Sequence, residues 1–359
     1  MFQGFYNGST VSKHPCDIED VIERAHLFNV DKMLVTASTI NESRDHFQLC
    51  EKYSNQFNST AGVHPCSVAK EFYQQEEGGH YTNQLRDDVD EKLQELKNIL
   101  IKGHQLGYVK ALGEIGLDYD RLHYSTKEQQ IEMFKRQLDL LRELPFKIPL
   151  FLHMRAACDD FVEIIQPYID TGIIERGKGV VHSFTGSKSE LQKILDLGFF
   201  IGVNGCSLKT QENVEVASKI PIDKLMIETD APWCGIRKSH ASYKYLTPYP
   251  NKFYPEIESG LELNEAKPVF QLDDHLPFPS IKKEAYEKHS NYVSQKSNSV
   301  ICIKRNIGVF SKPMIKSRNE PVAVGLVAEV LAKIHGIEED KEIENFIDTI
   351  FENSEKLFT

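Results

Sequence analysis

Val109-Lys110-Ala111-Leu112-Gly113-Glu114 is a short apolar run that ends in a carboxylate, and three later runs share its form. Pro149-Leu150-Phe151-Leu152-His153 and Gly179-Val180-Val181-His182 end in imidazoles, and Leu225-Met226-Ile227-Glu228-Thr229-Asp230 ends in acids. Apolar runs without alternation mark strands buried on both faces, and parallel strands of that kind need crossovers between them. Helical patterns fill those gaps. Ser125 to Glu143 carries Ile131, Phe134, Leu138 and Leu141 on one face, with Ser125 or Thr126 as N-cap, and Asp159–Ile169 and Ser187–Leu197 follow after the next two strands.

Working outward, helical spacing over Asp17–Phe28 and Asn41–Tyr53 flanks a strand at Lys32–Thr36, and Phe57–Pro65 reads as another strand. From Pro65 to Gly107 the chain is polar, a loop followed by a helix through Leu93, Leu96 and Leu100. Phe199–Asn204 is a strand and Asn213–Ser218 a short helix. Strands therefore start near residues 32, 57, 109, 149, 179, 199 and 225, one fewer than a (β/α)8 barrel needs to close. The first recognisable element is a helix, so the shortfall is expected at the N-terminus, the alternative being a strand overlooked elsewhere. After Trp233 the character changes. An irregular insertion rich in Pro, Tyr and Lys is expected over about 242–317, and Val322–His335 and Glu342–Leu357 are helices expected to finish the outer layer. The whole, residues 1–359, is expected to form one TIM-like barrel domain.

A chain of 359 residues with 40% hydrophobic side chains can bury a large core. The net charge of −11 argues against gripping nucleic acid through overall positive charge, so such a substrate would need a metal or a local basic patch. Seven cysteines without a Cys-x-x-Cys pair point to reduced thiols in an intracellular protein. Met1 to Cys16 lacks a secretory pattern, and no segment reaches the roughly 18 apolar residues of a membrane helix.

In such barrels catalytic groups gather at the C-terminal ends of the strands. Glu114, His153, His182 and Asp230 occupy four such ends, and two imidazoles with two carboxylates suit Mg²⁺, Mn²⁺ or Zn²⁺. Any one of these taken alone would more simply be a hydrogen-bonded rim residue. A metal site of that kind activates water and neutralises charge on the oxygen under attack, which is equipment for hydrolysing a phosphodiester or an amide. Asp230 is the candidate general base. His64, in Ala61-Gly62-Val63-His64-Pro65, is a candidate substrate contact or proton donor, or simply a cap for the neighbouring backbone. Arg155, two residues past His153 and on the same face, could clamp a phosphate or form a surface salt bridge. Asn204 and Trp233 are expected at the rim as substrate contacts, Trp233 either stacking on a base or plugging the barrel mouth. Asp118 and Asp120 follow Glu114 too closely to be assumed ligands, and read as anchors for Arg121 or caps of the loop.

Six ordered segments carry a resemblance. Gly113-Glu114-Ile115-Gly116-Leu117-Asp118-Tyr119, Leu152-His153-Met154-Arg155, Val181-His182-Ser183-Phe184, Gly202-Val203-Asn204-Gly205-Cys206-Ser207, Glu228-Thr229-Asp230-Ala231-Pro232-Trp233 and Arg318-Asn319-Glu320-Pro321 closely resemble the TatD-type deoxyribonucleases. The eukaryotic branch is the most similar, through Phe2-Gln3-Gly4-Phe5-Tyr6-Asn7-Gly8. The resemblance implies a barrel of the metal-dependent hydrolase superfamily, divalent-metal dependence with Mg²⁺ expected first, and 3′ to 5′ exonuclease activity on DNA. It implies Glu114, His153, His182 and Asp230 as metal ligands and places His64 in the family's His-Pro motif. The expected location is cytoplasmic with the nucleus as alternative, and no membrane association is expected.

Two departures stand out. The family's first strand, with its metal-facing motif, has no counterpart ahead of Phe2, so the barrel is expected to lack that strand. The insertion is longer than usual, and Lys282, Lys283, Lys288, Lys296, Lys304, Arg305, Lys312 and Lys316 make it the notably basic stretch. It reads as a DNA-holding segment or, more simply, as a solvated loop. Competing functional expectations are hydrolysis of a small amide, ester or aminoacyl-RNA bond, and a barrel made inactive by the absent strand.

Overall fold

The computed structural model describes residues 1–5, 11–255, 271–272, 274–276, 278–286, 303–305, 308–310 and 313–359. Through the first two thirds of the chain the elements are α1 Ile18–Leu27, β1 Met33–Val35, α2 Ile40–Lys52, β2 Phe57–Ala61, α3 Val68–Phe72, β3 Tyr73–Gln75, β4 Tyr81–Leu85, α4 Val89–Gln105, β5 Val109–Asp118, α5 Lys127–Asp139, β6 Leu150–Arg155, α6 Cys158–Asp170, β7 Gly179–Val181, α7 Lys188–Asp196, β8 Phe200–Val203, α8 Gln211–Ala217 and β9 Leu225–Ile227. There follow β10 Gln271–Leu272, β11 Pro279–Ile281, β12 Ile303–Arg305, β13 Gly308–Phe310, β14 Met314–Ile315, α9 Val324–Ile334 and α10 Asp340–Phe358.

Seven strands form the main sheet in the order β1-β2-β5-β6-β7-β8-β9, and each begins close to where an apolar run begins. The β1–β2, β2–β5, β5–β6, β6–β7 and β7–β8 pairs are parallel, as the helical crossovers require. Two of those helices start with full capping boxes, Thr126 with Gln129 on α5 and Ser187 with Glu190 on α7. This is the curled parallel sheet of a (β/α)8-type barrel.

Residue contacts divide the chain into two compact units. The barrel unit comprises Lys32–Val203, Glu215–Met226 and Asn345–Thr359. One of its clusters takes Ala111, Phe151, Val180, Phe200 and Met226 from five successive strands, and Leu34, Leu357 and Phe358 pack against them. Phe151 and Val180 each lie two residues before a histidine, so strand alternation puts them on the face that carries the imidazoles. The last turn of α10, expected in the outer layer, instead packs on that inner face.

The second unit comprises Met1–Asp31, Asn204–Val214 and Ile227–Glu344. Its core gathers Phe28, Tyr254, Leu276, Phe278, Met314, Val322 and Leu326, with Phe28 edge-on to Tyr254 and Phe278. The region expected to be an irregular insertion holds short strands, β10 antiparallel to β11, β11 parallel to β14, and β12 antiparallel to β13. Of its basic residues, Lys282 and Lys316 are exposed, while Lys288, Lys296 and Lys312 lie outside the described residues. A second correction concerns residues 73–85, read as loop, where β3 and β4 pair antiparallel.

Candidate metal centre

Four strands of the barrel unit bring His64, Glu114, His153 and His182 together, His64 from the segment after β2. Glu114 lies in β5, His153 in β6, and His182 directly follows β7. The backbone N–H of Glu114 bonds to Ala37 O at 3.1 Å and that of His64 to Ser38 O at 3.1 Å, tying both residues to the segment after β1. Close backbone approach explains the glycines around Glu114. A Cβ on Gly113 would lie 2.2 Å from Phe151 O, and one on Gly116, at φ +142°, would lie 2.0 Å from His153 O.

The three imidazoles converge on one oxygen. Glu114 Oε1 is 2.7 Å from His182 Nε2, 2.9 Å from His153 Nδ1 and 3.2 Å from His64 Nε2. His153 Nδ1 is also 3.3 Å from His182 Nε2 and 3.4 Å from His64 Nε2. Ligands about 2.0–2.1 Å from a common ion stand about 2.9–3.4 Å from one another, so these spacings suit a first coordination shell. The donor set fits a divalent cation.

Hydrogen bonds sort the imidazoles by role. His153 Nε2 faces Asp118 Oδ2 at 3.1 Å, which fixes the ring proton on Nε2 and leaves the Nδ1 lone pair facing the cluster. His64 is the reverse case. Its Nδ1 accepts the Cys66 N–H at 3.0 Å, so the neutral ring carries its proton on Nε2, aimed at Glu114. On this argument the ring tautomers suit His153 to present Nδ1 to a cation and His64 to donate from Nε2, although His64 Nε2 lies within reach of the same point.

The electrostatics agree. Burial alone would raise the Glu114 pKa, but His182, His64 and His153 hold it well below the usual carboxylate range. Burial would lower His153, and hydrogen bonds to Asp118 and Glu114 outweigh it, leaving its pKa raised. For His64 burial wins over the attraction of Glu114 and its pKa is lowered, so the ring is held neutral. Asp118 is lowered against its own burial, chiefly by the bond from His153.

Asp118 is the functional residue that sequence reasoning set aside. β5 runs four residues past Glu114, with a register shift between Leu112 and Ile115, and so places Asp118 opposite Arg155 on β6. It also caps the turn through Asp120 N at 3.1 Å and stands 3.9 Å from Arg121. Arg155 is 42% exposed and pairs with Asp120 at 2.5 Å, the surface ion pair weighed as its simpler role.

The remaining sequence candidates belong to the second unit. Asp230 follows β9 at φ +50°, and the Cys234 thiol donates to its Oδ2 at 3.1 Å. Asn204 is fully buried and its amide is occupied locally, donating to Glu228 Oε1 at 2.9 Å and accepting from Cys206 N at 2.9 Å. It braces a turn and is not exposed at the rim. Trp233 is 54% exposed. None of the six described cysteines, Cys206 and Cys234 among them, is in a disulfide.

A parallel barrel with an imidazole–carboxylate cluster at its strand ends defines a metal-dependent hydrolase. Residues 10–359 match the family model described as TatD related DNase, and the chain belongs to that family. It is 36% identical, over 359 residues, to a protein of Schizosaccharomyces pombe named deoxyribonuclease Tat-D, covering 100% of this chain and 92% of that one. It is 33% identical over 227 residues to a protein of Pectobacterium atrosepticum named 3′-5′ ssDNA/RNA exonuclease TatD, covering 62% of this chain and 76% of the relative. Among solved structures, one titled an uncharacterized amidohydrolase from Saccharomyces cerevisiae superposes with a TM-score of 0.74 at 33% identity, covering 100% of this chain and 96% of that one.

Proposed function

We propose that the protein is a divalent-metal-dependent exonuclease that removes nucleotides from the 3′ ends of single-stranded DNA. The observation that carries this is the convergence of His64, His153 and His182 on Glu114 Oε1. Membership of the family and the name of the bacterial relative support the substrate and polarity.

Glu114, His153 and His182 would hold the cation, and Asp230 is the further ligand implied by its place in Glu228-Thr229-Asp230. A cation there supplies Lewis-acid polarisation of a phosphoryl oxygen and activation of water. The imidazole-rich donor set shifts the expectation from Mg²⁺ toward Mn²⁺ or Zn²⁺. Asp118 keeps the His153 ring in the tautomer that presents Nδ1. His64, neutral with its proton on Nε2, is the donor suited to the departing 3′ oxygen, and Asp230 is the carboxylate suited to accept the proton of the attacking water. Arg155 exchanges an exposed pair with Asp120 for a substrate phosphate, and Trp233 offers a face for a base. No described helix is long and apolar enough to cross a membrane.

Single-stranded DNA labelled at the 5′ end and blocked or free at the 3′ end tests the proposal. Stepwise shortening of the free substrate alone, abolished by chelation and by His153→Ala, is expected. Equal turnover of both substrates would refute the polarity, and no turnover with Mg²⁺, Mn²⁺ or Zn²⁺ would refute the activity.

A further inference from the structure

Helix α5 carries two glutamines seven residues apart, hence on one face, and both are buried. Glutamine on a buried face needs partners for its amide, and here each amide clasps both backbone groups of a single residue. Gln137 Oε1 accepts the Val63 N–H at 2.8 Å, and its Nε2 donates to Val63 O at 3.1 Å. Gln130 Oε1 accepts the Asp118 N–H at 2.7 Å, and its Nε2 donates to Asp118 O at 3.0 Å and to Ser125 O at 2.9 Å.

These are the places where strand pairing gives out. β2 ends at Ala61, two residues short of Val63, and Asp118 is the last residue of β5. Val63 precedes His64, which points Nε2 at Glu114, and Asp118 holds His153 through Nε2. A helix on the outside of the barrel thus supplies the hydrogen bonds that the ladder no longer supplies, at the two residues on which the imidazole geometry depends.

We propose that Gln137 and Gln130 are positioning residues for the reaction, Gln137 setting His64 and Gln130 setting Asp118 and through it His153. The proposal rests on the functional reading above, in which His64 donates and His153 is a ligand. Loss of either clasp shifts an imidazole without removing it, and displacements of that order cost up to about 100-fold in turnover.

The test uses the full chain with Gln137→Met and Gln130→Met, which keep the side-chain length and lose the hydrogen bonds. On single-stranded DNA, Gln137→Met is expected to lower kcat about 10- to 100-fold with KM within about twofold of the parent. It should cause no further loss when His64 is already alanine, and Gln130→Met should behave likewise in an Asp118→Ala background. Gln137→Glu, which keeps the acceptor for Val63, should restore part of the activity. Parent-like kcat in the methionine variants, or losses that simply add to those of His64→Ala and Asp118→Ala, would overturn the proposal. Amide hydrogen exchange separates its failure from that of the functional reading. If the parent fails to degrade DNA with any of the three cations, the functional reading falls, and the clasps are judged by exchange at Val63 and Asp118. Faster exchange there in the methionine variants, with α5 and the strands still protected, supports the clasps, and unchanged exchange overturns them.

Discussion

Two buried clusters of charged groups, one in each unit, show how differently such groups are arranged for stability and for chemistry. In the second unit Arg24 meets Glu320 through two hydrogen bonds of 2.6 and 3.0 Å. Arg318 meets Asp17 through two of 2.7 and 2.6 Å and reaches Glu320 at 2.9 Å. Two guanidiniums face two carboxylates, every oxygen is matched by a donor, and the Phe2 ring covers Arg318 at 4.7 Å. In the barrel unit, three imidazoles crowd a single carboxylate oxygen. The first cluster is balanced charge for charge, with Arg318 Nε buried without a hydrogen-bond partner among the described residues. The second has more nitrogens than its one oxygen can satisfy, the arrangement expected where a cation is to be held.

The comparison breaks most visibly if the balanced cluster is not structural. Glu320→Ala leaves two buried guanidiniums sharing Asp17, and urea denaturation should show a loss of about 3–5 kcal/mol. Removing the cation should come next in size. Saturation at a hundredfold excess over Kd stabilises by about 2.7 kcal/mol, so chelation should lower the Tm of the parent and leave that of His153→Ala nearly unmoved.

The pH dependence sharpens the contrast through His153. Its pKa is raised in the folded chain, so without metal it contributes stability that is full below the unfolded value of about 6.5 and lost as pH rises through the folded pKa. Metal affinity must run the other way, because a ligand nitrogen has to shed its proton, and should weaken as pH falls through that same raised pKa. Denaturation and metal titration across a pH series check the two signs. The smallest effect is expected at Arg155→Ala. It should cost at most about 1 kcal/mol, since its partner Asp120 is exposed, while raising KM for DNA.

The seven sheet strands were legible because strands buried on both faces are written as unbroken apolar runs. The hairpin at 73–85 was not, since β4 is short and partly to fully exposed, with no apolar signature. Glu114, His153 and His182 were legible as polar endings of apolar runs. Asp118 was hidden because the shifted register of β5, invisible in one sequence, turns a residue that looks like loop into a strand residue opposite Arg155. Gln130 and Gln137 were hidden for a related reason. On a helix a glutamine reads as solvent-facing, and its burial appears only when the strand ends it clasps are in place. Asn204 has a local role that its strand-end position did not signal: its amide serves the turn that follows.

The most direct test of the central claim is calorimetric titration of the chelator-treated protein with Mn²⁺ or Zn²⁺, comparing the parent with Glu114→Ala. Saturable binding by the parent that is lost in the variant, with both chains equally folded, is the predicted result. Equal binding by the two, or none by the parent, would contradict the assignment of the imidazole cluster as a metal centre.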